Sequence, residues 1–556
     1  MKQLFRQLLA IGIAVTPLGF TSTADAQQVV AGQEIQNPVI FTDVPDIDII
    51  RVGKDYYMTS TTMHLCPGVP VMHSTDLVHW ETINYVYDIL ETNGKATLNG
   101  GEAYGNGSWA SSIKYVNGTY HICFVANEQN KSYIYHTKDL RSGKWTRSDF
   151  QGKFHDPALL FDEASGRAFV AYGNGRIMIR ELTPDFTAVK EGGVDQLMVD
   201  ARDPKCGLQA EGSHLYKFGD YYYLFNIDWP QGSVRREVCF RTKDLLGEWE
   251  KRTVVEATVN KGVGGFGGNG IAQGGIVDTP DGKWVGFFFQ DQGPLGRAPI
   301  FIPMEWKDGW PTFPTEYANS SSPTVGTVQH GLTCSDDFNG TYNPGTTNCL
   351  AVGPAWQWNH NPVNDKWSLT ERVGWLRLKT AAVAPHIFLA RNSISQRLPG
   401  PRCTTEVLLD TKGMQAGDRA GICAFQSNYA SIGVEKSADG KKQLVVRTRS
   451  SRGKQRSAFI APTDDSEVAM SMKLKKDKVY LRISYVFYQK DGQDEKPNTA
   501  RLAYSYDGKK WTDCGVTLHM QYTLDIFMGY RTLLYNYATT ALGGYVDFDY
   551  YHVTID

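Results

Sequence analysis

The sequence of 556 residues lacks the features that mark nucleic-acid-binding, membrane-spanning and zinc proteins. Its 57 Lys and Arg are balanced by 59 Asp and Glu, so a net charge of -2 supplies no positive field for nucleic acid or an anionic membrane. Its nine cysteines form no CxxC pair, which argues against zinc and redox motifs. Beyond the N-terminal region, no apolar run approaches the ~20 residues that a membrane-spanning helix needs. We expect an ordered globular protein without a nucleic-acid partner or a membrane span.

Most cysteines lie inside apolar, strand-like runs, and we expect buried free thiols. If a disulfide forms, Cys334 and Cys349 are the best candidates. One basic cluster alternates with polar residues and is expected to be the solvated face of a hairpin. It consists of Arg447, Arg449, Arg452, Lys454 and Arg456.

The N-terminus carries the pattern of a cleaved secretory signal. Lys2 and Arg6 precede an apolar stretch, and Ala24-Asp25-Ala26 supplies small residues at the positions that a signal peptidase reads. We therefore predict a signal peptide over residues 1–26, a mature chain from Gln27, and export, with the periplasm as the expected compartment.

A hairpin unit recurs five times. Each copy has a short polar start, an apolar strand, a tight turn with Gly and an aromatic-rich second strand. The five copies begin at Pro45, Trp109, His155, Glu211 and Gln273. A Ser/Thr-x-Asp motif follows four of them, at Asp76, Asp139, Asp185 and Asp244. Because no helical periodicity competes, we predict a five-bladed β-propeller over residues 27–311.

Beyond the repeats, residues 312–334 are rich in Pro, Ser, Thr and Gly and are predicted to be a linker. Residues 335–556 contain short alternating strands separated by polar turns, which is typical of an antiparallel sandwich. The predicted fold is therefore all-β, with a propeller followed by a β-sandwich.

Three of the five innermost strands begin with a carboxylate, at Asp46, Asp156 and Glu211. The starts of these strands meet on the propeller axis, so residues far apart in sequence can share one pocket. Each acid alone could be a turn residue, but three acids at equivalent positions of the repeats favour a shared functional role. Without a Ser-His or Cys-His arrangement, they indicate general acid and base catalysis of the kind that cleaves glycosidic bonds. Trp109 could stack on a sugar and Arg297 could bind its hydroxyls, although core and surface roles stay open.

At these residues the chain resembles glycoside hydrolase family 43. The resemblance rests on Asn37-Pro38 with Pro45-Asp46-Ile47-Asp48, His155-Asp156-Pro157, Glu211-Gly212 and Gly296-Arg297, and on a C-terminal part similar to the family's concanavalin-like sandwich. It implies an inverting mechanism with Asp46 as the general base, Glu211 as the general acid and Asp156 as the residue that orients the acid and tunes its pKa. It also implies a sugar pocket lined by Trp109 and Arg297.

His64 and Gln273 complete the predicted substrate-binding set. Relatives commonly carry an axial His where this chain has Ala272, which weakens the case for a metal on the axis. No cofactor is expected, although Asp547 and Asp549 could hold a structural Ca²⁺.

The preferred substrate is a terminal α-L-arabinofuranosyl residue on a plant hemicellulose such as xyloglucan or arabinoxylan. The alternatives are a β-D-xylosidase acting on xylo-oligosaccharides and a non-catalytic carbohydrate-binding protein. The oligomeric state stays open.

Overall fold

The computed structural model describes residues 37–257, 269–314, 331–340, 352–452, 456–488 and 496–555, with the backbone of two short paired strands, Val29–Val30 and Gln33–Glu34. The predicted signal peptide, Cys349 and Lys454 lie outside these residues. Within the described parts, no helix has the length and apolar character needed to cross a bilayer.

The first part of the chain folds into five four-stranded antiparallel sheets, as the repeats predict. Each sheet uses consecutive strands in order, so each is one blade of a propeller. From the first blade to the fifth the strands are Asp48–Val52, Asp55–Thr59, Gly68–Ser74 and Glu81–Tyr87; Ser108–Val116, Thr119–Ala126, Lys131–Thr137 and Thr146–Gln151; Ala158–Asp162, Arg167–Asn174, Arg176–Leu182 and Asp195–Asp200; Cys206–Phe218, Tyr221–Pro230, Arg236–Thr242 and Glu250–Val255; Ala272–Asp278, Trp284–Asp291, Arg297–Lys307 and Trp310–Thr312.

The Ser/Thr-x-Asp motif forms the turn between the third and fourth strands of a blade. In the first blade the Ser74 hydroxyl accepts hydrogen bonds from the backbone N–H groups of Asp76 and Leu77, at 3.1 and 2.9 Å. Thr137 and Thr242 accept in the same way from Asp139 and Asp244. Because these side chains satisfy backbone donors of the turn, the repeated motif is explained by local hydrogen bonding.

Five hydrophobic clusters hold the propeller together, one between each pair of neighbouring blades. Phe124 and Ile134 of the second blade, for example, belong to the clusters shared with the first and the third blade. The fourth blade likewise shares one cluster with the third and one with the fifth. Burying one such side chain stabilises the fold by about 1.5–3 kcal/mol. The alternation that predicts the hairpins therefore also supplies the contacts between blades.

The segment that precedes the first blade closes the ring against the fifth. The side-chain amide of Asn37 donates to the carbonyl of Phe301 at 2.7 Å, and its oxygen accepts from the N–H of the same residue at 2.9 Å. Further along, the N–H of Val44 donates to the carbonyl of Arg297 at 2.8 Å. A hydrophobic cluster that contains Ile49 and Phe287 fills the space between these two blades. Asp46 and Arg297 are thereby carried on adjacent segments.

The second part of the chain forms two packed antiparallel sheets, as predicted. The eight-stranded sheet contains, in spatial order, Glu467–Lys473, Lys442–Arg449, Tyr429–Lys436, Asp418–Phe425, Arg531–Ala538, Ile394–Arg397, Gln357–Asn359 and Leu65–Cys66. The seven-stranded sheet contains Trp367–Ser368, Leu376–Lys379, Tyr545–Ile555, Arg402–Asp410, Lys478–Val486, Thr499–Ser505 and Thr512–His519. One large apolar cluster, with Trp358 and Phe548 fully buried, fills the space between the sheets. Short 3₁₀ helices occur at Asn127–Gln129, Gly293–Leu295, Asn364–Lys366, Ile387–Leu389 and Arg456–Ile460.

The two parts are joined through a shared sheet. Leu65–Cys66, a strand from the propeller, pairs with Gln357–Asn359 at the edge of the sandwich. The Arg456 guanidinium also pairs with Glu102 of the propeller, with Nε 2.8 Å from the carboxylate. Arg449 is buried and paired with Asp465. The basic cluster is thus not a uniformly solvated face, because Arg449 is buried against Asp465 and Arg456 pairs with an acid of the other domain.

The described cysteines, including Cys334, are free thiols, and those at 66, 123, 206, 239, 403 and 423 are buried. Asp547 receives hydrogen bonds from two guanidinium groups, with the nearest atom, Nε of Arg377, at 2.7 Å and Nη1 of Arg372 at 2.9 Å. A carboxylate that already neutralises two arginines is a poor ligand for Ca²⁺. Asp547 is therefore already neutralised by arginines, and a structural Ca²⁺ at Asp547 and Asp549 stays a prediction.

Candidate active site

Several predicted site residues lie at left-handed turns of the backbone, with Asp46 and Asp156 just before an innermost strand and Gln273 as the second residue of one. The sequence predicts Glu211 at the start of its strand, but Glu211 lies inside Cys206–Phe218, where the pairing with the next strand is irregular. The φ angles are +52° at Asp46, +47° at Asp156 and +55° at Gln273, and Gly212 after Glu211 has +67°. For residues other than Gly this conformation costs of the order of 1–3 kcal/mol, and it occurs preferentially at functional sites. Asp46, Asp156 and Glu211 interact electrostatically with one another. The turns therefore bring three acids from the first, third and fourth blades to one end of the axis.

Asp46 is buried and forms an ion pair with Arg297, which begins the third strand of the fifth blade. Burial raises the pKa of Asp46, and the Arg297 guanidinium opposes that rise. On its other side Arg297 reaches Asp291, with Nε 3.4 Å from the carboxylate. Arg235 and Asn269 also contact Asp291, so this carboxylate is itself held in place. Arg297 is thus fixed between two acids, one of which is the predicted general base.

Two aromatic rings flank the guanidinium of Arg297. Its Cζ atom lies 4.4 Å from the ring centroid of Phe289 and 4.8 Å from that of Phe527. Such contacts stabilise a cation and leave the hydrogen-bonding edge of the guanidinium available. Phe289 belongs to the propeller, whereas Phe527 belongs to the sandwich. The second domain therefore contributes directly to the surroundings of the predicted base.

Glu211, in the innermost strand of the fourth blade, accepts hydrogen bonds from two side chains. His155 Nε2 lies 2.9 Å from Glu211 Oε2, and the amide of Asn174 donates to the same oxygen at 2.5 Å. The Glu211 side chain keeps 18% of its surface exposed, against 6% for Asp46, so it is the more open of the two acids. Burial raises the pKa of Glu211, but hydrogen bonding and the charge of His155 outweigh it and hold this pKa below its usual value.

Asp156 orients the segment that carries Glu211. Its Oδ2 accepts the backbone N–H of Gly212 at 3.0 Å and lies 3.7 Å from His155 Nε2. Burial raises the pKa of Asp156 to about 6, against the opposing charge of His155. A residue that tunes a general acid is expected to keep it protonated, whereas the resting site favours the charged form of Glu211. The difference arises because His155 stands between the two acids and favours the charged form of Glu211.

Trp109 borders the same cleft and contacts both domains. Its ring centroid lies 5.9 Å from that of His155 and 5.5 Å from that of Phe527. The indole N–H donates to the carbonyl of Gly105 at 3.2 Å, and this bond orients the ring. Tyr522 is half-buried near Arg297, and desolvation raises its pKa against the opposing charge of that guanidinium. The segment 520–529 of the sandwich therefore covers one side of the site.

Asp43 holds this segment and Arg297 together. One carboxylate oxygen accepts the N–H of Arg297 at 2.8 Å, and the other accepts the N–H of Gly529 at 2.9 Å. A Cβ atom on Gly296 would lie 2.1 Å from Asp43 Oδ1, which explains why a glycine precedes Arg297. The carbonyl of Asp43 also accepts from Arg397 Nε at 2.8 Å. A single buried residue thus links the fifth blade to the sandwich.

The two further predicted binding residues occupy different surroundings. Gln273 is buried against the segment of Glu211, because a Cβ on Gly212 would lie 2.5 Å from its Cγ. His64 is buried beside the sandwich, with Nε2 2.9 Å from Asn359 Oδ1 and its ring 4.6 Å from that of Tyr104. Among the described residues, the partners of His64 lie in the domain interface. Substrate binding by His64 stays a prediction that no contact supports.

His155, Asp156 and Glu211 are the only described group of three or more ligand-type residues whose donor atoms lie together, within 4.8 Å of one another. The Glu211 oxygen already accepts two hydrogen bonds in this group. A cation on this oxygen would have to displace both donors, so the contacts present are those of a hydrogen-bonded acid network.

Sequence reasoning missed several residues of this site. Asn174, Asp291 and Phe527 carry no recognisable motif, and Phe527 lies in another domain, 481 residues after Asp46 (527 − 46). His155 stands directly before Asp156, so the sequence could have placed it near that acid. Its contact with Glu211 could not be predicted, because the two residues belong to different blades. Pairing between blades had to be known first.

The family comparison matches both parts of the chain. The model described as glycosyl hydrolases family 43 matches residues 35–311, and the model described as the β-xylosidase C-terminal concanavalin A-like domain matches residues 350–554. The chain belongs to glycoside hydrolase family 43. The family is one of glycosidases.

Relatives of this family 43 chain include a protein named β-xylosidase from Formosa agariphila, 26% identical over 94% of this chain and 90% of its own length. A non-reducing end α-L-arabinofuranosidase from Bacteroides ovatus is 28% identical over 64% of this chain and 66% of its own. Among solved structures, a bifunctional GH43-CE protein of Bacteroides eggerthii has a TM-score of 0.81 and 38% identity. That match covers 95% of this chain, which spans 64% of that longer protein.

Proposed function

We propose that the protein is an exo-acting, inverting hydrolase that removes one terminal pentosyl residue from xylan-type hemicellulose. The observation that carries this proposal is the convergence of Asp46, Asp156 and Glu211 from three blades beside Arg297. One carboxylate that activates a water and a second carboxyl group that protonates the leaving oxygen are what an inverting displacement at an anomeric carbon needs.

In this mechanism Asp46 takes a proton from water as the water attacks the anomeric carbon. Arg297 supports the charged form of the base before attack, because its guanidinium pairs with the carboxylate. Glu211 gives a proton to the departing glycosidic oxygen on the other face of the sugar. Asp156 keeps the segment of Glu211 in place through Gly212. The product leaves with inverted configuration.

Exo action is supported by the cover that the sandwich places over the cleft. Phe527 lies within ring-contact distance of both Trp109 and Arg297, so one side of the cleft is occupied by protein. A sugar chain that continued in that direction would meet this ring. We therefore propose that a terminal residue enters the site and that the remainder of the glycan extends outward.

For the sugar itself, two candidates have separate support. A β-D-xyloside is favoured because most of the relatives carry β-xylosidase names, including those from Formosa agariphila, Xylanibacter ruminicola and Bacillus subtilis. An α-L-arabinofuranoside, the substrate preferred from the sequence, is favoured by the name of the Bacteroides ovatus relative. We place the β-D-xyloside first. Export through the N-terminal signal, with action in the periplasm, completes the proposal.

The deciding experiment compares hydrolysis of p-nitrophenyl β-D-xyloside, p-nitrophenyl α-L-arabinofuranoside and xylobiose, with Glu211→Gln as the control. We expect the native chain to hydrolyse one of the two pentosides and the variant to leave xylobiose intact. The first proton NMR spectra should show a product with the inverted anomeric configuration. A retained anomer would refute the inverting mechanism. Binding of xylo-oligosaccharides without any product would instead identify a carbohydrate-binding protein.

A further inference from the structure

His155 occupies a central place among the acids that the proposed mechanism does not use. Its Nε2 atom lies 2.9 Å from Glu211 Oε2 and 3.7 Å from Asp156 Oδ2. The ring of Trp109 packs against the imidazole, with centroids 5.9 Å apart. The side chain is about one quarter exposed, so it is held by these contacts and still meets solvent. One imidazole nitrogen therefore faces two carboxyl groups.

This contact raises a question about the general acid. A general acid must carry a proton when the glycosidic bond breaks. Glu211, however, accepts hydrogen bonds from His155 and from Asn174 on one oxygen, and donors of this kind favour the charged carboxylate. Glu211 is thus arranged in the resting site as an ion, and the proton must be supplied from a neighbouring group.

The charges around His155 allow it to hold that proton. The nearby carboxylate of Asp156 raises the pKa of His155 to about 9, and burial and the charge of Lys153 act in the opposite direction. Two further charged groups shift the pKa values of its acidic partners. Asp46 raises the pKa of Asp156, and Arg297 lowers that of Glu211. The third blade adds the uncharged amide of Asn174. The imidazolium is therefore the favoured form of His155 near neutral pH.

We propose that His155 is a positioning residue that stores the catalytic proton and delivers it to Glu211. In the resting site the proton is on His155 Nε2 and Glu211 is a carboxylate. As substrate binds, the Nε2–H bond breaks and an O–H bond forms on Glu211, which leaves a neutral imidazole and a neutral carboxylic acid.

The remaining steps balance in protons. Glu211 passes its proton to the glycosidic oxygen as the bond to the anomeric carbon breaks, and the aglycone leaves as an alcohol. Asp46 takes one proton from the attacking water, whose oxygen joins the anomeric carbon. Solvent then returns a proton to His155, and Asp46 releases one. This inference rests on the proposed function only for the chemical step, because the proton on His155 belongs to the resting protein.

A titration of the resting protein tests the storage of the proton without any substrate. The imidazole signals of ¹³C-labelled histidines are followed by NMR from pH 5 to 10, and His155 is assigned by its loss in His155→Gln. We expect a His155 pKa near 9 in the native chain, and a fall of about one unit or more in Glu211→Gln, which lacks the partner charge. A His155 signal that titrates near the ordinary value of 6.5 would overturn the proposal.

The pH dependence of kcat/KM on xylobiose tests the delivery, because an alcohol leaving group requires a strong acid. In His155→Gln, which keeps a hydrogen-bond donor but carries no proton to give, the alkaline limb should move to lower pH by about one unit or more. The matched control is Asn174→Ala, which removes the other hydrogen-bond donor to Glu211. It should not move the alkaline limb of the kcat/KM profile to lower pH. A lower kcat with an unmoved limb in His155→Gln would show a purely structural role. A native chain that cleaves neither xylobiose nor an α-L-arabinofuranosyl oligosaccharide would refute the proposed function, and the titration would still decide the storage of the proton.

Discussion

At Asp46 the backbone and the chemistry require the same residue type. The left-handed φ of +52° is one that Asp and Asn adopt more readily than most residues, because their short polar side chains bond locally. Of these two, only Asp can take a proton from water. Arg297 pairs with the carboxylate in a buried setting, which limits the rise in pKa that burial would otherwise cause. Asn at this position should therefore preserve the turn and remove the base.

Asp46→Asn should lower kcat by about 10²–10⁴-fold, the range typical of a lost general base, and leave the unfolding temperature nearly unchanged. Initial rates on the preferred pentoside and thermal unfolding of both proteins provide the measurement. Asp55→Asn is the matched control, since Asp55 pairs with His73 in a different strand of the same blade. Activity within a few-fold of the native chain in Asp46→Asn would assign the base to another residue.

The raised pKa of His155 also predicts how the stability of the fold depends on pH. Its pKa in the folded state is raised from 6.5 to about 9, so its contribution is fully present below pH 6.5 and is lost as the pH rises through about 9. At full strength the contribution should be about 1–3 kcal/mol. The gap in unfolding free energy between the native chain and His155→Gln should be largest at and below pH 6.5 and should fall by that amount as the pH rises above about 9. A gap that does not vary with pH in urea titrations would contradict this.

At the scale of elements, the turn before Arg297 and the segment 520–529 of the sandwich are connected through Asp43. The carboxylate accepts one backbone N–H from each, and the N–H of Tyr530 donates to the carbonyl of Pro294 at 2.8 Å. The position of the Phe527 ring over Arg297 thus depends on bonds made by backbone groups. A change at Asp43 should loosen the cover of the site without touching the acids.

Asp43→Asn replaces one of the two accepting oxygens by a donor, so either Arg297 or Gly529 loses its partner. Leaving a buried N–H unpaired costs about 1–3 kcal/mol. We expect a lower unfolding temperature and a KM for the pentoside raised by about tenfold, with a smaller change in kcat. Thr42→Val is the control, because the Thr42 hydroxyl bonds the carbonyl of Leu398 in the same interface at 2.8 Å. Equal effects of both variants on KM would show that Asp43 has no special part in the cover.

The elements also show what the sequence could and could not predict. Hairpins with Gly turns and alternating strands depend on local chemistry, so all five blades could be predicted, as could the sandwich strand around Val479. The convergence of the acids could be predicted because they lie in corresponding innermost segments of the repeats, although Glu211 lies inside its strand and not at its start. Phe527, Asn174 and the pairing of Leu65 with Asn359 could not, because each depends on which surfaces meet after folding. Alternation specifies a strand, but it does not specify a distant partner.

At the scale of the whole molecule, the propeller and the sandwich share one β-sheet and one apolar cluster. The propeller strand Leu65–Cys66 extends the eight-stranded sheet of the sandwich. Around it, an apolar cluster includes Tyr104 of the propeller with Phe388 and Phe425 of the sandwich. The hydroxyl of Tyr104 donates to the carbonyl of Phe388 at 2.8 Å. Separating the parts would expose this cluster and one sheet edge, so each part depends on the other for its stability.

Calorimetry of the full chain should therefore show one cooperative unfolding transition, with equal calorimetric and van't Hoff enthalpies. A pentose product that binds the site should move the whole transition upward, because it stabilises only the folded form that both parts build. Phe527→Ala should reduce that upward movement, since the ring belongs to the sandwich and covers a propeller site. Two transitions, with only one responding to the sugar, would show that the sandwich folds independently and contributes little to the pocket.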